Sequence, residues 1–335
     1  MSGLRGYVMK RMLIAPLLLI VITIITYSSA ALAVGDPAVL VFGGGVDPER
    51  ASARMDMSEE QLARMREAYE QLREDLGLNQ PIWIQYLIWL AHLATGDFGT
   101  NWESNDPIVE EMLELFPYTL QLTTTALLFA TMTGIIVGIL SAVKHNQKTD
   151  RVLVFLTLTL YSTPTYWLAF ILIQLIAIDL APLHGGFITP IYRPDASPIG
   201  RLVIPAISMG IASAGFYARI TRSSMLEVIR QDYIMTARSK GLAEKVVIYK
   251  HALKNALIPV VTVIGLDVAG LFGGALIMET IFAWPGMGRY GYRALILRNY
   301  PVIMGVVLFS STLLILMNLV VDITYAYLDP RIRYG

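Results

Sequence analysis

The sequence predicts an all-α membrane protein with six transmembrane helices and a large external insertion between the first and the second. Three observations carry this. The chain of 335 residues is 55% hydrophobic and 16% charged, with a mean hydropathy of +0.56, where a soluble domain is about 45–50% apolar and about 25% charged. The apolar residues collect in six runs long enough to cross the hydrocarbon core, which takes about 20 residues of helix. The polar segments between the runs differ in charge sign, as the sides of a membrane require.

The first run, Met12–Val34, follows Lys10 and Arg11. Its end, Ser29-Ala30-Ala31-Leu32-Ala33, resembles a cleavage site. The run exceeds the 7–15 residues of a signal-peptide core and further spans follow, so it reads as a span. The other spans are Tyr118–Val143, Val152–Ile178, Leu202–Ile220, Ala256–Phe282 and Pro301–Tyr327. The third contains Pro164, which predicts a kink and a hinge candidate. The fourth is rich in small residues (Gly210, Ser213, Ala214, Gly215), which suits close helix packing better than lipid exposure.

Gly35–Pro117 carries sixteen acids and five arginines, net −11, whereas Arg219–Lys254 carries eight bases and three acids, net +5. Lys144, Lys148 and Arg151, opposed only by Asp150, follow span two, and Arg331 and Arg333 follow span six. Basic segments stay cytoplasmic. Both termini are therefore expected inside, with the acidic segment and the Pro182–Gly200 loop outside. Arg289, Arg293 and Arg298 dissent, lying in an external loop of this scheme. Zero formal net charge gives no basis for a nucleic-acid partner, and the absence of cysteine excludes disulfides and thiolate chemistry.

In the external segment, Ser58-Glu59-Glu60-Gln61 forms a capping box. Leu62, Met65, Tyr69, Leu72 and Leu76 follow at helical spacing, and Gly77 suits the stop. Ile82–Leu93 is too short to span. Its Trp83, Tyr86 and Trp89 favour the membrane surface, as a lid or as a docking surface.

The cytoplasmic segment 221–255 is far longer than a connection needs. Ile229, Tyr233 and Ala237 recur every four residues. Gly241 permits a sharp turn, and Leu242, Val246, Tyr249 and Leu253 form a second apolar stripe. Pro259 suits a first helical turn of the next span. The pattern is two short helices meeting at a bend, able either to lie on anionic lipid or to seat in another protein.

This stretch, Met235-Thr236-Ala237-Arg238-Ser239-Lys240-Gly241, resembles the EAA loop of ABC importer permeases in the subtype found in peptide transporters. The leading acid of the general motif is absent, and its closing proline comes at Pro259 rather than at Lys254, both as in that subtype. Further matches are Gly35-Asp36-Pro37, Leu76-Gly77-Leu78 with Pro81, Gly96-Asp97-Phe98-Gly99-Thr100, Glu279 through Gly286 (ETIFAWPG) and Leu328 through Arg333 (LDPRIR).

The resemblance implies a type I importer permease fold. Residues 1–117 would form the first helix and external region, 118–329 the transmembrane domain with its coupling loop, and 330–335 a cytoplasmic tail. It implies a prokaryotic plasma-membrane complex with a second permease, two nucleotide-binding subunits and an external solute-binding protein. Tyr233, Ala237, Arg238, Lys240, Gly241, Leu242 and Lys245 would meet an ATPase. The transported solute would be a di- or oligopeptide, or else a nickel chelate, glutathione or an oligosaccharide. No cofactor is expected on this chain, which is expected to be non-catalytic. It has seven lysines and none follows glycine, so no phosphate-cradling loop is present, and ATP and Mg belong to partner subunits.

Asp267, Gly270 and Gly274 share a face of span five and are expected to line the path or the interface with the second permease. The alternative is an acid satisfied by nearby Ser or Thr hydroxyls. Glu279 has Arg289 or Arg293 as prospective partners, and Asp322 reads as a positional anchor. A secondary transporter using Asp267 or Glu279 as a proton site is the rival class, and it would usually show an internal repeat, which is not found. The four histidines (His92, His145, His184, His251) fall outside the spans, so no metal cage is indicated, and no nucleophile motif suggests a membrane enzyme.

Overall fold

The computed structural model describes residues 4–34, 38, 58–75, 77–185, 188–189, 191–270 and 275–328. Apart from one isolated β-bridge, between Thr100 and Pro107, the described residues form helices and their connections. The helices are α1 (Leu4–Val34), α2 (Glu59–Asp75), α3 (Ile82–Ala94), α4 (Ile108–Val143), α5 (Lys148–Ser162), α6 (Thr165–Leu172), α7 (Pro198–Ile229), α8 (Asp232–Ser239), α9 (Leu253–Gly270), α10 (Leu276–Ile281), α11 (Met287–Leu297) and α12 (Tyr300–Leu328). Among the described residues, five helices are long and apolar enough to cross a membrane, and a sixth span arises if α5 and the helix that follows it count as one.

The third span is broken rather than kinked. Lys148–Ser162 and Thr165–Asp179 meet at 108°. Pro164 disfavours a helical conformation at the residue before it. Thr163 is accordingly extended, at φ −88° and ψ 133°. Its Oγ1 donates to the Thr159 carbonyl at 2.7 Å. The fourth span is longer than Leu202–Ile220 because it starts at Pro198, capped by Ser197, whose Oγ accepts from the Gly200 amide at 3.0 Å. The fifth is described as α9 up to Gly270 and, beyond residues 271–274, which lie outside the described residues, as the short α10. Pro259 lies inside α9 and not in a first turn, because the preceding π-helical stretch Val247–Ala252 already runs into it.

The chain gathers into two compact units. The first comprises Met1–Arg11, Leu115–Arg289 and Leu313–Gly335. Here α7 is the central element, packed against α5, α6 and α9. Small residues let α4 and α7 approach closely. A Cβ placed at Gly134 would lie 2.5 Å from the Tyr217 Cβ and 2.9 Å from the Ala214 carbonyl oxygen. Several threonine hydroxyls in the spans return to their own helix, as when Thr123 Oγ1 donates to the Thr119 carbonyl at 2.8 Å.

The second unit comprises Met12–Glu114 and Tyr290–Thr312. The capping box forms as read: the Ser58 amide donates to Gln61 Oε1 at 3.0 Å, and the Gln61 amide to Ser58 Oγ at 3.3 Å. Tyr69 is buried, Leu62 and Met65 are half-buried, and Leu76 lies outside the described residues. In α3 no residue is buried. Its Tyr86 and Trp89 cluster around Tyr27 of α1, with ring centroids 5.6 and 5.3 Å away, while Trp83 stays 62% exposed. Tyr290 and Asn101 both donate to Glu111, and Asn299 Nδ2 donates to Asn101 Oδ1 at 2.6 Å.

Candidate functional site

The elbow is built by α8, a turn at Gly241 and a single helical turn at Glu244–Val246. Gly241 has φ +74°, the left-handed region that β-carbons resist, and no atom lies within 4 Å of where its Cβ would stand. The tip is therefore open, and glycine is there for its backbone. Arg238 staples the bend from inside, donating through Nε and Nη2 to the two carboxylate oxygens of Glu244 at 3.1 and 2.7 Å. That carboxylate raises the Arg238 pKa above its ordinary value. A second brace runs from Asn255 Nδ2 to Tyr233 Oη, at 2.8 Å.

The elbow has two faces. Ile234, Ala237, Val247, Ile248 and Ala252 are buried with Ile139, Ala142 and Met225, which anchors it to the ends of α4 and α7. Tyr233, Met235, Leu242, Val246 and Tyr249 are exposed large apolar residues. Six of the seven predicted coupling residues are exposed: Tyr233, Arg238, Lys240, Gly241, Leu242 and Lys245. Ala237 is not. It packs inward, and its small side chain lets α8 lie against the span ends. The stripe Leu242, Val246, Tyr249 and Leu253 is split: the first three are exposed, Leu253 packs against the buried cluster, and Val247 and Ile248, in the π-helical turns Val247–Ala252, take the inward positions.

Within the first unit, Asp267 of α9 is exposed although it lies in an apolar span. Its partner is neither Ser nor Thr. Tyr217 of α7, 1% exposed, donates its hydroxyl to Asp267 Oδ2 at 2.5 Å. Beside them is a cavity of about 220 Å³, lined also by Thr123, Ala126, Leu127, Met209 and Ser213. Gly270 is the last described residue of α9, and Gly274 lies outside the described residues.

Glu279 is fully buried, and among the described residues no guanidinium pairs with it. Thr119 Oγ1 donates to its Oε1 at 2.6 Å and the backbone amide of Arg289 to its Oε2 at 2.9 Å. The Arg289 guanidinium bonds the Ala283 carbonyl, and Arg293 pairs with Glu103. A Cβ at Gly286 would lie 2.2 Å from the Glu279 carboxyl carbon, so the chain closes over this acid only with glycine there. Trp284, also fully buried, donates Nε1 to the Tyr118 carbonyl at 2.8 Å. Asp36 and Arg331 and their neighbouring motif residues lie outside the described residues.

Residues 134–334 match the family model described as the binding-protein-dependent transport system inner membrane component. The chain belongs to this family. As a permease of this kind it has full-length relatives. The dipeptide transport system permease protein DppB of Alkalihalophilus pseudofirmus is 41% identical, covering 98% of this chain and 99% of the relative. DppB of Escherichia coli K12 is 39% identical, over 93% and 94%. The glutathione transport system permease protein GsiC of Salmonella choleraesuis is 38% identical, over 98% and 99%. Among solved structures, a chain of the MetNI methionine ABC transporter in an inward-facing conformation matches with a TM-score of 0.54 at 21% identity, over 65% of this chain and 96% of that one. That likeness agrees with the fold. The permease is thus a multi-pass membrane subunit of a transport complex.

The permease also contains a polar clamp that sequence reasoning missed. Asp150, 3% exposed, accepts from Arg222 Nε at 2.8 Å and Nη2 at 2.9 Å. It also accepts from Ser141 Oγ at 2.5 Å and from the Asn146 amide at 2.9 Å. Arg222 Nη2 reaches His145 Nδ1 at 3.1 Å as well, which makes that nitrogen an acceptor. The clamp binds the end of α4, the turn after it and the start of α5 to the part of α7 that leads to the elbow. The available signals were Asp150 as the one acid in a basic turn and Arg222 inside a long apolar helix.

Proposed function

We propose that this chain is one of two permeases of an ATP-driven importer for di- or oligopeptides delivered by an external solute-binding protein. The observation that carries this is the elbow: a buried anchor of Ile234, Ala237, Val247 and Ile248 holds an exposed apolar tip around Gly241. A segment lying on lipid would not need an anchor on its other side. Such a rigid tip fits a cleft of a nucleotide-binding subunit, where ATP and Mg reside. Closure of the two ATPases on ATP pushes the tip, and the push reaches the spans through α8 and α9. The transporter then shifts between inward- and outward-facing states, a population change driven by a ligand on another chain.

In this reading both termini are cytoplasmic and the acidic segment after α1 is external. The Asp267 face, with Gly270 and Gly274, lines the path or meets the second permease. An exposed carboxylate within a span costs about 2.5–3.5 kcal/mol against lipid, so this face is turned to water or protein. The break at Pro164 serves as the flexing point of span three. The similarity to dipeptide and glutathione transport permeases supports a peptide solute.

The test is uptake of radiolabelled dialanine by proteoliposomes holding the complex, with Gly241→Asp as the variant. Aspartate meets backbone strain of about 1–2 kcal/mol at φ +74° and places an acid between Lys240 and Lys245. Uptake is expected to vanish and ATPase co-purification to fall, with the membrane content of the permease unchanged. Uptake at the normal rate refutes the coupling role.

A further inference from the structure

We infer that the cavity beside Asp267 is a binding site for an ammonium group, and that within the proposed peptide cycle its ligand is the peptide's free amino terminus. This rests on the importer reading and adds a recognition step inside the permease itself.

The carboxylate is held ready. Tyr217 is buried and its Cβ faces the close approach of α4 at Gly134, so its phenol has little freedom. The phenol hydroxyl fixes Oδ2, while Oδ1 has no hydrogen-bond partner among the described residues. No Lys, Arg or His lies within ion-pair distance of Asp267 among the described residues. An exposed, oriented, half-satisfied carboxylate in an apolar span is therefore a site for a mobile cation.

The cavity lining defines which cation. An ammonium group has three N–H donors and no acceptor. Asp267 Oδ1 supplies one acceptor. The Thr123 hydroxyl gives its proton to the Thr119 carbonyl and keeps its lone pairs, and the Ser213 hydroxyl lines the same space. Ala126, Leu127 and Met209 surround these oxygens with apolar surface that suits a small aliphatic side chain. No basic side chain lines the cavity, so it does not favour a carboxylate or phosphate. A hard metal ion takes six or more oxygens, more than one carboxylate and two hydroxyls provide. The volume, about 220 Å³, admits the first residue of a peptide rather than a long chain.

Two experiments test this together. In the first, proteoliposomes holding the whole complex and saturating binding protein take up radiolabelled dialanine, with ATP hydrolysis followed in parallel. Asp267→Asn is expected to lower maximal uptake about tenfold, the loss of one charge-assisted hydrogen bond, while binding-protein-stimulated ATP hydrolysis stays near wild type. Asp267→Glu is expected to recover most of the uptake, and Tyr217→Phe to fall between the two. In the second, saturation-transfer NMR on the detergent-solubilised permease–ATPase complex without binding protein compares dialanine with N-acetyl-dialanine. Only dialanine is expected to give a difference signal, and Asp267→Asn is expected to abolish it. Equal signals for the two probes, or normal uptake by Asp267→Asn, overturn the site while leaving the peptide reading intact. Failure of the wild-type complex to import dialanine overturns the peptide reading itself. If Asp267→Asn does not assemble, Tyr217→Phe decides the question on both readouts: unchanged uptake together with an unchanged dialanine signal overturns the site.

Discussion

Removing Arg222 is expected to be among the most damaging single changes at the end of the spans that carries the elbow. Breaking a buried ion pair from one side costs about 3–5 kcal/mol, because the other charge is left uncompensated. Two features reduce that figure here. The Arg222 side chain is 25% exposed, so water can partly replace it, whereas the Asp150 side chain is 4% exposed. Asp150 also keeps its bonds from Ser141 and the Asn146 amide. Arg222→Ala should therefore cost about 2–3 kcal/mol. The matching change at the elbow, Arg238→Ala, breaks a pair whose side chains are 40% and 55% exposed and should cost well under about 1 kcal/mol. The assay is thermal unfolding of the detergent-solubilised complex, with a double-mutant cycle to Asp150→Asn. The double variant is expected to lose less than the sum of the singles by about 1 kcal/mol or more, since each single change strands the other partner. Equal melting temperatures for Arg222→Ala and Arg238→Ala, or strict additivity in the cycle, refute the assignment of the clamp as a buried, coupled network.

Gly286→Ala places a methyl group within 2.4 Å of three Glu279 carboxyl atoms, and should destabilise the turn after α10 by about 1–3 kcal/mol, seen as a lower melting temperature of the complex. In the turn after α3, the Gly99 amide donates to Asp97 Oδ1 at 2.8 Å and His92 Nδ1 lies 3.0 Å from Oδ2. These bonds, the amide first, hold the Asp97 carboxyl below the usual carboxylate pKa. Because the folded value is depressed, the stabilisation is present above the ordinary value of about 3.9 and disappears as pH falls through the lower folded value. The hydrogen-exchange protection factor of Gly99 should drop over that acid range in the wild type and show no such step in Asp97→Asn.

The spans were legible because each is a long apolar run, and the positions where the chain departs from a straight helix carried their own marks: Pro164 at the break, Ser197-Pro198 at the early start of α7, Gly241 at the elbow. The faces of the elbow were not legible. The stripe at Leu242, Val246, Tyr249 and Leu253 did not tell which side is covered: its first three members face solvent, while Val247 and Ile248 are buried. Pro259 was misplaced because the π-helical turns Val247–Ala252 already lead into α9. Partners far apart in sequence were equally hidden. Asp150 meets Arg222 across 72 residues and Asp267 meets Tyr217 across 50, and neither spacing follows from any local period. For Glu279 the sequence offered arginine side chains as partners, but the carboxyl is met by a hydroxyl 160 positions earlier and by a main-chain amide.

The divided third span bears on what surrounds this subunit. Its first limb, Lys148–Ser162, has 15 residues and rises about 22 Å, short of the roughly 30 Å hydrocarbon layer. The junction at Thr163 and Pro164 therefore falls at membrane depth, and Pro164 is exposed on the isolated chain. Acyl chains offer nothing to hydrogen-bond, so non-helical backbone at that depth persists only beside protein or a wet cavity. The bend thus marks one flank where lipid is an unfavourable neighbour and protein or water a favourable one.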